Sequence, residues 1–106
     1  MQLLLAIVDD DDAGALMDAL SQKQIGATKL ASTGGFLLQG NTTLLIGVED
    51  ARVPEVIQLI RKVSVRRRMV LPATPAEAIP HVSLPIEVET GGAIIFGLEV
   101  EAFYRI

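Results

Sequence analysis

The stretch from residue 28 to residue 48, TKLASTGGFLLQGNTTLLIGV, constrains the fold of this chain more than any other stretch. Its first residues alternate between two faces as a strand does, and residues 42–48 read as a second strand. Gly34-Gly35 and Gly40-Asn41 are turn signals that separate the strands. Between the turns, residues 36–38 are three consecutive large apolar residues, where a loop tip is normally polar. The stretch therefore predicts a hairpin whose tip is covered by a neighbouring subunit or by a ligand.

Two amphipathic helices are predicted, one before and one after this hairpin. Asp10, Asp11 and Asp12 suit the N-cap and first turn of a helix that runs to about Gln22, because carboxylates there accept from free N–H groups. We expect four residues of this helix to face the sheet: Ala13, Leu16, Met17 and Leu20. A second helix begins at Asp50, and its apolar residues have the i, i+3, i+4, i+7 spacing: Val53, Val56, Ile57 and Ile60.

The remaining strands lie near the two ends of the chain. Residues 3–8 are nearly all apolar, as expected for a central strand covered on both faces. Residues 86–89 and 93–100 flank Gly91-Gly92 and are expected to pair as a terminal hairpin. The order of the elements predicts one α+β domain over residues 1–106, with the ferredoxin-like βαββαβ plan and an added C-terminal hairpin.

The ferredoxin-like plan places both helices on one face of an antiparallel sheet, so the opposite face also needs cover. Half of the residues are hydrophobic, and a chain of 106 residues is small enough to gain useful burial from association. We therefore expect a homo-oligomer that turns its sheets inward.

Two loops are predicted, a short one at residues 33–41 and a long one at residues 64–85. Four of the five prolines lie in the second, which is long for a structureless connection inside a small domain. The triplet Arg66, Arg67 and Arg68 opens it. This triplet is either a solvated cluster at the end of a helix or a set of contacts for a phosphate or an acidic partner.

Charge and composition exclude several classes of function. The net charge of −4 argues against binding to nucleic acid or to anionic membranes. The chain has no cysteine, so it can form neither a disulfide nor a thiolate metal site, which suits a cytoplasmic protein. No apolar run approaches the roughly 20 residues that cross a bilayer. Residues 1–8 are also too short and lack the basic flank of a signal peptide.

The residue types that carry catalysis are poorly represented. There is no cysteine, a single histidine and no phosphate-binding or dinucleotide fingerprint. Asp9 to Asp12 could be considered as ligands of a divalent cation, but consecutive carboxylates point in different directions and match no calcium loop. The sequence therefore predicts neither a catalytic nor a metal site, and a binding module fits it better than an enzyme.

The central hairpin itself suggests a pocket. Glycines at positions 34, 35, 40 and 47 permit positive φ and close approach to backbone N–H groups, and Phe36 offers a flat stacking surface. Short polar side chains complete a set that suits a purine or a sugar-phosphate: Thr28, Thr33, Asn41, Thr42 and Thr43. The alternative is a hairpin whose apolar tip packs into its own core or a neighbouring subunit.

Three strings in the chain resemble the PII-like cyclic-di-AMP receptor family: LLLAIVDDDD, ATKLASTGGFLLQGNTTLLIGVED and PIEVETGGAIIFGLEVEAF. The resemblance spans nearly the whole chain. It implies a non-enzymatic homotrimer whose sheets face the trimer axis, with three cyclic-di-AMP sites in the clefts between subunits. It also implies that the loops at 33–41 and 64–85 respond to the ligand and so regulate an unidentified partner protein. No cofactor is implied.

The same resemblance implies a set of ligand-binding residues: Gln24, Thr28, Gly35, Phe36, Leu37, Asn41 and Gly47, with Phe96 from the adjoining subunit. The chain departs from the family pattern at Gln24 and Gly26, where asparagine and arginine are common. The lost guanidinium leaves a second reading open, a regulatory or scaffold trimer that binds ATP, ADP or AMP, or that has lost nucleotide binding. Another cation, from residues 66–68 or from Arg105, could replace it.

Overall fold

The structure is a computed structural model, and it describes residues 1–31, 40–71 and 86–106. These residues form six strands and two α-helices. The first half of the described chain contains β1 (Gln2–Asp9), α1 (Asp10–Gln22), β2 (Ala27–Ala31) and β3 (Asn41–Val48). A 3₁₀ turn (Asp50–Arg52) then leads to α2 (Val53–Val63), β4 (Arg67–Leu71), β5 (Ile86–Thr90) and β6 (Ala93–Glu99).

Four of the strands form one antiparallel sheet in the order β2-β3-β1-β6, and β1 is an inner strand as its apolar sequence predicts. Alternate residues of β1 point to opposite faces of the sheet. Leu4, Ala6 and Val8 are buried on one face, which we call the helix face because α1 and α2 pack against it. The same core contains Leu44 and Ile46 of β3. The expected α+β sheet with two helices is therefore confirmed.

Helix α1 ends where the sequence predicts and begins one residue earlier. The N-cap is Asp9, one residue earlier than expected, and its carboxylate accepts a hydrogen bond of 2.9 Å from the Asp11 backbone N–H. Ala13, Leu16 and Leu20 are buried against the sheet, and Met17 packs at the margin of the core. Burial of this apolar face, more than helix propensity, stabilises the helix.

Helix α2 also follows its predicted pattern. Val56 and Ile60 are buried, and Arg61 and Lys62 lie in the last turn, where cations complement the helix dipole. Pro54 lies in the first turn, where its missing N–H would have no partner in the helix. The pattern differs at two points. Residues 50–52 form a 3₁₀ turn before the α-helix begins, and Ile57 lies outside the core, whereas Leu59 and Val63 pack against it.

The predicted terminal hairpin is wrong. β6 pairs with β1, with Ile95 opposite Ala6, and so completes the main sheet. β5 pairs instead with β4, from Arg67 opposite Thr90 to Leu71 opposite Ile86. Gly91 and Gly92 both have positive φ and join β5 to β6 without folding them onto each other. Apolar alternation identifies a strand but does not specify its partner.

The expectation of a long loop at residues 64–85 also needs correction at its start. Arg67–Leu71 is a strand, and the loop signal from the prolines is limited to residues that lie outside the described ranges. Strand β4 is joined to the main domain through Arg67, whose Nη2 lies 2.9 Å from Asp12 Oδ1. That ion pair connects β4 to the first turn of α1.

The second face of the main sheet, here called the outer face, carries mostly apolar residues, and neither of the two described α-helices packs on it. One row across it runs Thr28, Leu45, Leu5 and Phe96, as the strand registers require. Large side chains on this face are well exposed in the single chain: Leu30 is 41% exposed, Phe96 41% and Leu98 48%. None of the helices in the described ranges has the length and apolar character needed to span a membrane.

Candidate functional site

Two adjoining cavities form a groove where the ends of β1, β2 and β3 meet the C-terminal residues. The larger cavity has a volume of about 560 Å³ and the smaller about 160 Å³. Both are lined by Met1, Gly26 and Gly47, which therefore mark the point where they join. The larger one opens on the outer face, where Leu3 and Leu45 form its apolar floor.

Three of the sequence-predicted site residues line this groove. Gln24 lies in the smaller cavity, Thr28 in the larger one, and Gly47 in both. Gln24 has a φ of 58°, an unusual value for a residue other than glycine, and its backbone N–H donates to Ser21 O at 2.9 Å. The turn after α1 thus fixes the position from which the Gln24 amide meets the groove.

The two glycines of the groove act differently from the sequence expectation. Neither Gly26 nor Gly47 has a positive φ, and a Cβ added at either would meet nothing within 4 Å. Their effect is to leave the main chain and its peptide groups uncovered. Gly40 does have a positive φ, of 93°, and its carbonyl accepts a 2.7 Å hydrogen bond from the Asp10 N–H.

Asn41 and Phe96 lie away from the groove on the same chain. Asn41 begins β3 and Gly47 is near its end, so the two are roughly 20 Å apart along the strand. Phe96 lies three strands from Thr28 in the same row, a distance of roughly 14 Å at the usual strand spacing. One chain therefore does not bring Asn41 and Phe96 to the groove. Gly35, Phe36 and Leu37, the other predicted ligand-binding residues, lie outside the described residues.

Two residues from the end of the chain, Phe103 and Arg105, also line the larger cavity. Phe103 was not predicted as a ligand-binding residue, and Arg105 was named only as a possible replacement for the missing guanidinium. Phe103 is 63% exposed, and the apolar ending of the sequence was the only signal for it. Arg105 is exposed and forms no ion pair with any residue of the described ranges. It is the cation that the groove offers to an anionic ligand.

The other positive groups at the groove are already paired. Arg52 borders the smaller cavity, donates to Lys23 O at 2.9 Å and forms an ion pair of 3.1 Å with Glu55. This hydrogen-bonded pair raises the pKa of Arg52 and lowers that of Glu55. The Met1 ammonium lies 3.0 Å from Asp50, and that contact raises its pKa above the ordinary value.

The run of aspartates that might have suggested a metal is used by the fold. Asp9 caps α1, and Asp10 accepts a hydrogen bond from the Thr42 hydroxyl. Asp12 is only 6% exposed and pairs with Arg67. Within the described ranges, no three acidic or histidine side chains are grouped so that they could hold a metal ion.

Comparison with known proteins agrees with the resemblance read from the sequence. A family model described as "Cyclic-di-AMP receptor" matches residues 1–106, the whole chain. Among solved structures, the chain is similar to a functionally unknown protein from Pediococcus pentosaceus ATCC 25745, with 44% sequence identity and a TM-score of 0.78. The match covers 99% of this chain and 96% of that one. The chain therefore belongs to the cyclic-di-AMP receptor family, which is PII-like and has a nucleotide-binding signalling role.

Proposed function

We propose that the protein is a cytoplasmic, non-enzymatic sensor that binds cyclic-di-AMP in three clefts of a ferredoxin-like homotrimer. One observation carries the proposal. Gln24, Thr28 and Gly47 meet in one groove at the margin of an apolar sheet face that no helix covers. An amide, a hydroxyl and uncovered peptide groups are suitable partners for the edges of a purine and for a sugar-phosphate.

The trimer supplies the cover that the outer face lacks. Leu5, Leu45 and Phe96 lie in a row on this face. Burial of apolar surface of this kind is favourable by roughly 25 cal/mol per Å². Three sheets that face a common axis would bury it. The groove lies at the edge of the face, so assembly places it at a boundary between subunits.

Assembly also accounts for Phe96. Its ring points to the outer face but cannot reach the groove of its own chain, three strands away. We assign it to the groove of the neighbouring subunit, where its ring would pack against an adenine. Phe36, from the subunit that forms the groove, would stack on the opposite side of the adenine. Aromatic stacking of this kind contributes about 1–3 kcal/mol per base.

Arg105 is assigned to the phosphates of the ligand. It lines the same cavity as Gly26 and Thr28, and no carboxylate of the described residues neutralises it. Hydrogen bonds to charged groups contribute about 1.5–3 kcal/mol, so one guanidinium replaces much of what glycine at position 26 removes. The ligand would change the conformation of residues 33–41 and 64–85 and so alter a surface that a partner protein recognises.

A second candidate is a regulatory or scaffold trimer that binds ATP, ADP or AMP, or that no longer binds a nucleotide. The observation that favours it is the open space at Gly26, where a Cβ would meet nothing within 4 Å. A groove with a single unpaired arginine is electrostatically weaker than one with two.

Isothermal titration of the full chain with cyclic-di-AMP, ATP, ADP and AMP separates these candidates. We expect saturable heat with cyclic-di-AMP at a dissociation constant of about 1 μM or lower, and weaker binding of the mononucleotides. Phe36→Ala should weaken cyclic-di-AMP binding without dissolving the trimer. Preference for a mononucleotide would favour the second candidate, and no heat with any of the four would refute nucleotide sensing.

A further inference from the structure

A second cavity, of about 370 Å³, lies on the helix face, between the C-terminal half of α2 and the start of β6. Ile57 and Ile60 form one apolar wall, and Ile95 of β6 forms the other. Ile95 lies opposite the buried Ala6 on the helix face, whereas Thr28 and Gly47 of the groove lie on the outer face. The sheet therefore separates this cavity from the proposed nucleotide site.

The floor of the cavity contains a buried hydroxyl without a hydrogen bond. Ser64 lines the cavity and is 4% exposed, and its Oγ has no hydrogen-bond partner among the described residues. Both backbone groups of Ser64 are satisfied, since its N–H donates to Ile60 O at 2.8 Å and its carbonyl accepts from Gly92 N at 2.6 Å. A buried hydroxyl without a partner is unfavourable, and rotation about χ1 allows it to donate to a group inside the cavity.

The rim of the cavity is positively charged. Arg61 and Arg66 are both exposed lining residues, and none of the described residues that line the cavity is acidic. Arg66 lies across Gly92, where its Nε would be 3.3 Å from an added Cβ. The full charge of the Arg61 guanidinium outweighs the partial negative charge at the C-terminal end of α2. Apolar walls below a cationic rim are complementary to an amphipathic anion.

We propose that this cavity binds a small carboxylic acid with an aliphatic or aromatic body. The body lies between Ile57, Ile60 and Ile95, and the carboxylate accepts hydrogen bonds from Arg61. The Ser64 hydroxyl donates to the same carboxylate. The volume is at the lower end of the range of about 300–1,000 Å³ for small-molecule sites, which favours a small ligand.

A ligand in this position would act on the strands that leave the main domain. Val65 and Arg66 lead directly into β4, and Gly92 follows the turn out of β5. Gly91 is so close to this segment that an added Cβ would lie 2.2 Å from Val65 O. Occupation of the cavity would therefore couple a second small molecule to the position of β4 and β5, independently of nucleotide binding.

The test is a titration of the ¹⁵N-labelled full chain with 3-phenylpropionate, compared with the neutral 3-phenylpropionamide. We expect saturable shifts of amide resonances at residues 60–66 and 92–95 with the acid, and roughly tenfold weaker binding of the amide. Arg61→Gln should weaken binding of the acid roughly tenfold. Lys62→Gln is the matched control, because Lys62 is an exposed cation of the same helical turn that does not line the cavity. It should bind as the unchanged protein does.

Each of the following outcomes would overturn the proposal. One is the absence of saturable shifts up to about 10 mM acid, the limit of useful affinity for so small a ligand. Another is equal binding of acid and amide, or binding that Arg61→Gln leaves unchanged. The third is a cavity that is already filled, seen as nuclear Overhauser contacts between the Ile57 methyl groups and residues 72–85 or a partner peptide. Shifts confined to Gly26, Thr28 and Gly47 would assign the acid to the groove and refute it equally.

Discussion

At position 26 this chain has glycine, where the resemblance to the family leads us to expect an arginine that would bind the ligand. It is exposed, its φ is not in the left-handed region, and an added side chain would enter open space. The backbone therefore does not require glycine here. An arginine at this position would extend into the groove beside Thr28 and Arg105.

A double-mutant cycle on Gly26→Arg and Arg105→Gln tests how the groove neutralises phosphate. We expect Gly26→Arg to tighten cyclic-di-AMP binding about tenfold, and Arg105→Gln to weaken it about tenfold, from one charge-assisted contact each. If the two guanidinium groups bind the same phosphates, Arg105→Gln should reduce the affinity for cyclic-di-AMP less when arginine is present at position 26. Isothermal titration of the four proteins provides the comparison.

The matched control for this cycle is Gly14→Arg. Gly14 is exposed on α1, and a Cβ there also meets nothing within 4 Å, so the variant adds the same charge away from the groove. Its affinity should stay near that of the unchanged chain. An equal gain from Gly14→Arg would show that net charge, rather than contact, governs binding. An unchanged affinity in Arg105→Gln would remove Arg105 from the site.

At the scale of elements, an ion pair between α1 and β4 attaches the start of the 64–85 segment to the domain core. Arg67 Nη2 lies 2.9 Å and 3.2 Å from the two oxygens of Asp12. The Asp12 side chain is 7% exposed and that of Arg67 is 44% exposed. Asp12 cannot regain full hydration if the pair is broken, so the contact is more stabilising than an ordinary surface pair.

Asp12→Asn should therefore lower the free energy of unfolding by about 1–2 kcal/mol. It should also speed hydrogen exchange at the β4 amides, because Arg67 is the first residue of that strand. Asp11→Asn makes the same chemical change in the same helical turn at an exposed position, so it loses the dipole interaction but not the ion pair. Equal destabilisation by the two variants would contradict a role for the pair.

The helices could be predicted closely from sequence because their signals are local. Carboxylates before the first turn and residues such as Leu16 and Leu20 at helical spacing determine α1 within the chain itself. Strand pairing depends on partners that are distant in sequence. Residues 86–89 and 93–100 had the alternation of a hairpin, but β6 satisfies its backbone on β1 and buries Ile95 next to the core. Local pattern contains no information on that choice.

The site divides in the same way. Gln24 and Thr28 are four residues apart in sequence, and they meet Gly47 because β2 pairs with β3. Asn41 was predicted together with them, but it lies at the opposite end of β3 from Gly47. Phe96 was expected from the adjoining subunit, and strand register keeps it away from the groove of its own chain. Arg105 entered the prediction only as a replacement charge, since nothing in its local sequence indicates which cavity the end of the chain lines.

At the scale of the whole molecule, a substitution on the outer face tests whether the chain assembles. Leu5 lies on the inner strand β1 and in the row that joins Thr28 to Phe96, so it is near the middle of that face. A carboxylate there is tolerated in a single chain, because the face is open to solvent. In a trimer with inward-facing sheets it would be buried three times, at an effective cost of several kcal/mol for each ion.

Leu5→Glu should therefore convert the proposed trimer to a monomer in light scattering coupled to gel filtration, with the far-ultraviolet circular dichroism of the folded chain retained. Ala15→Glu is the control, because Ala15 is exposed on α1 and adds the same charge on the opposite side of the sheet. Nucleotide binding should be lost together with assembly, since the groove then lacks the neighbouring Phe96 while Gln24, Thr28 and Gly47 remain in place. A Leu5→Glu monomer that still binds cyclic-di-AMP with unchanged affinity would mean that one chain supplies the complete site.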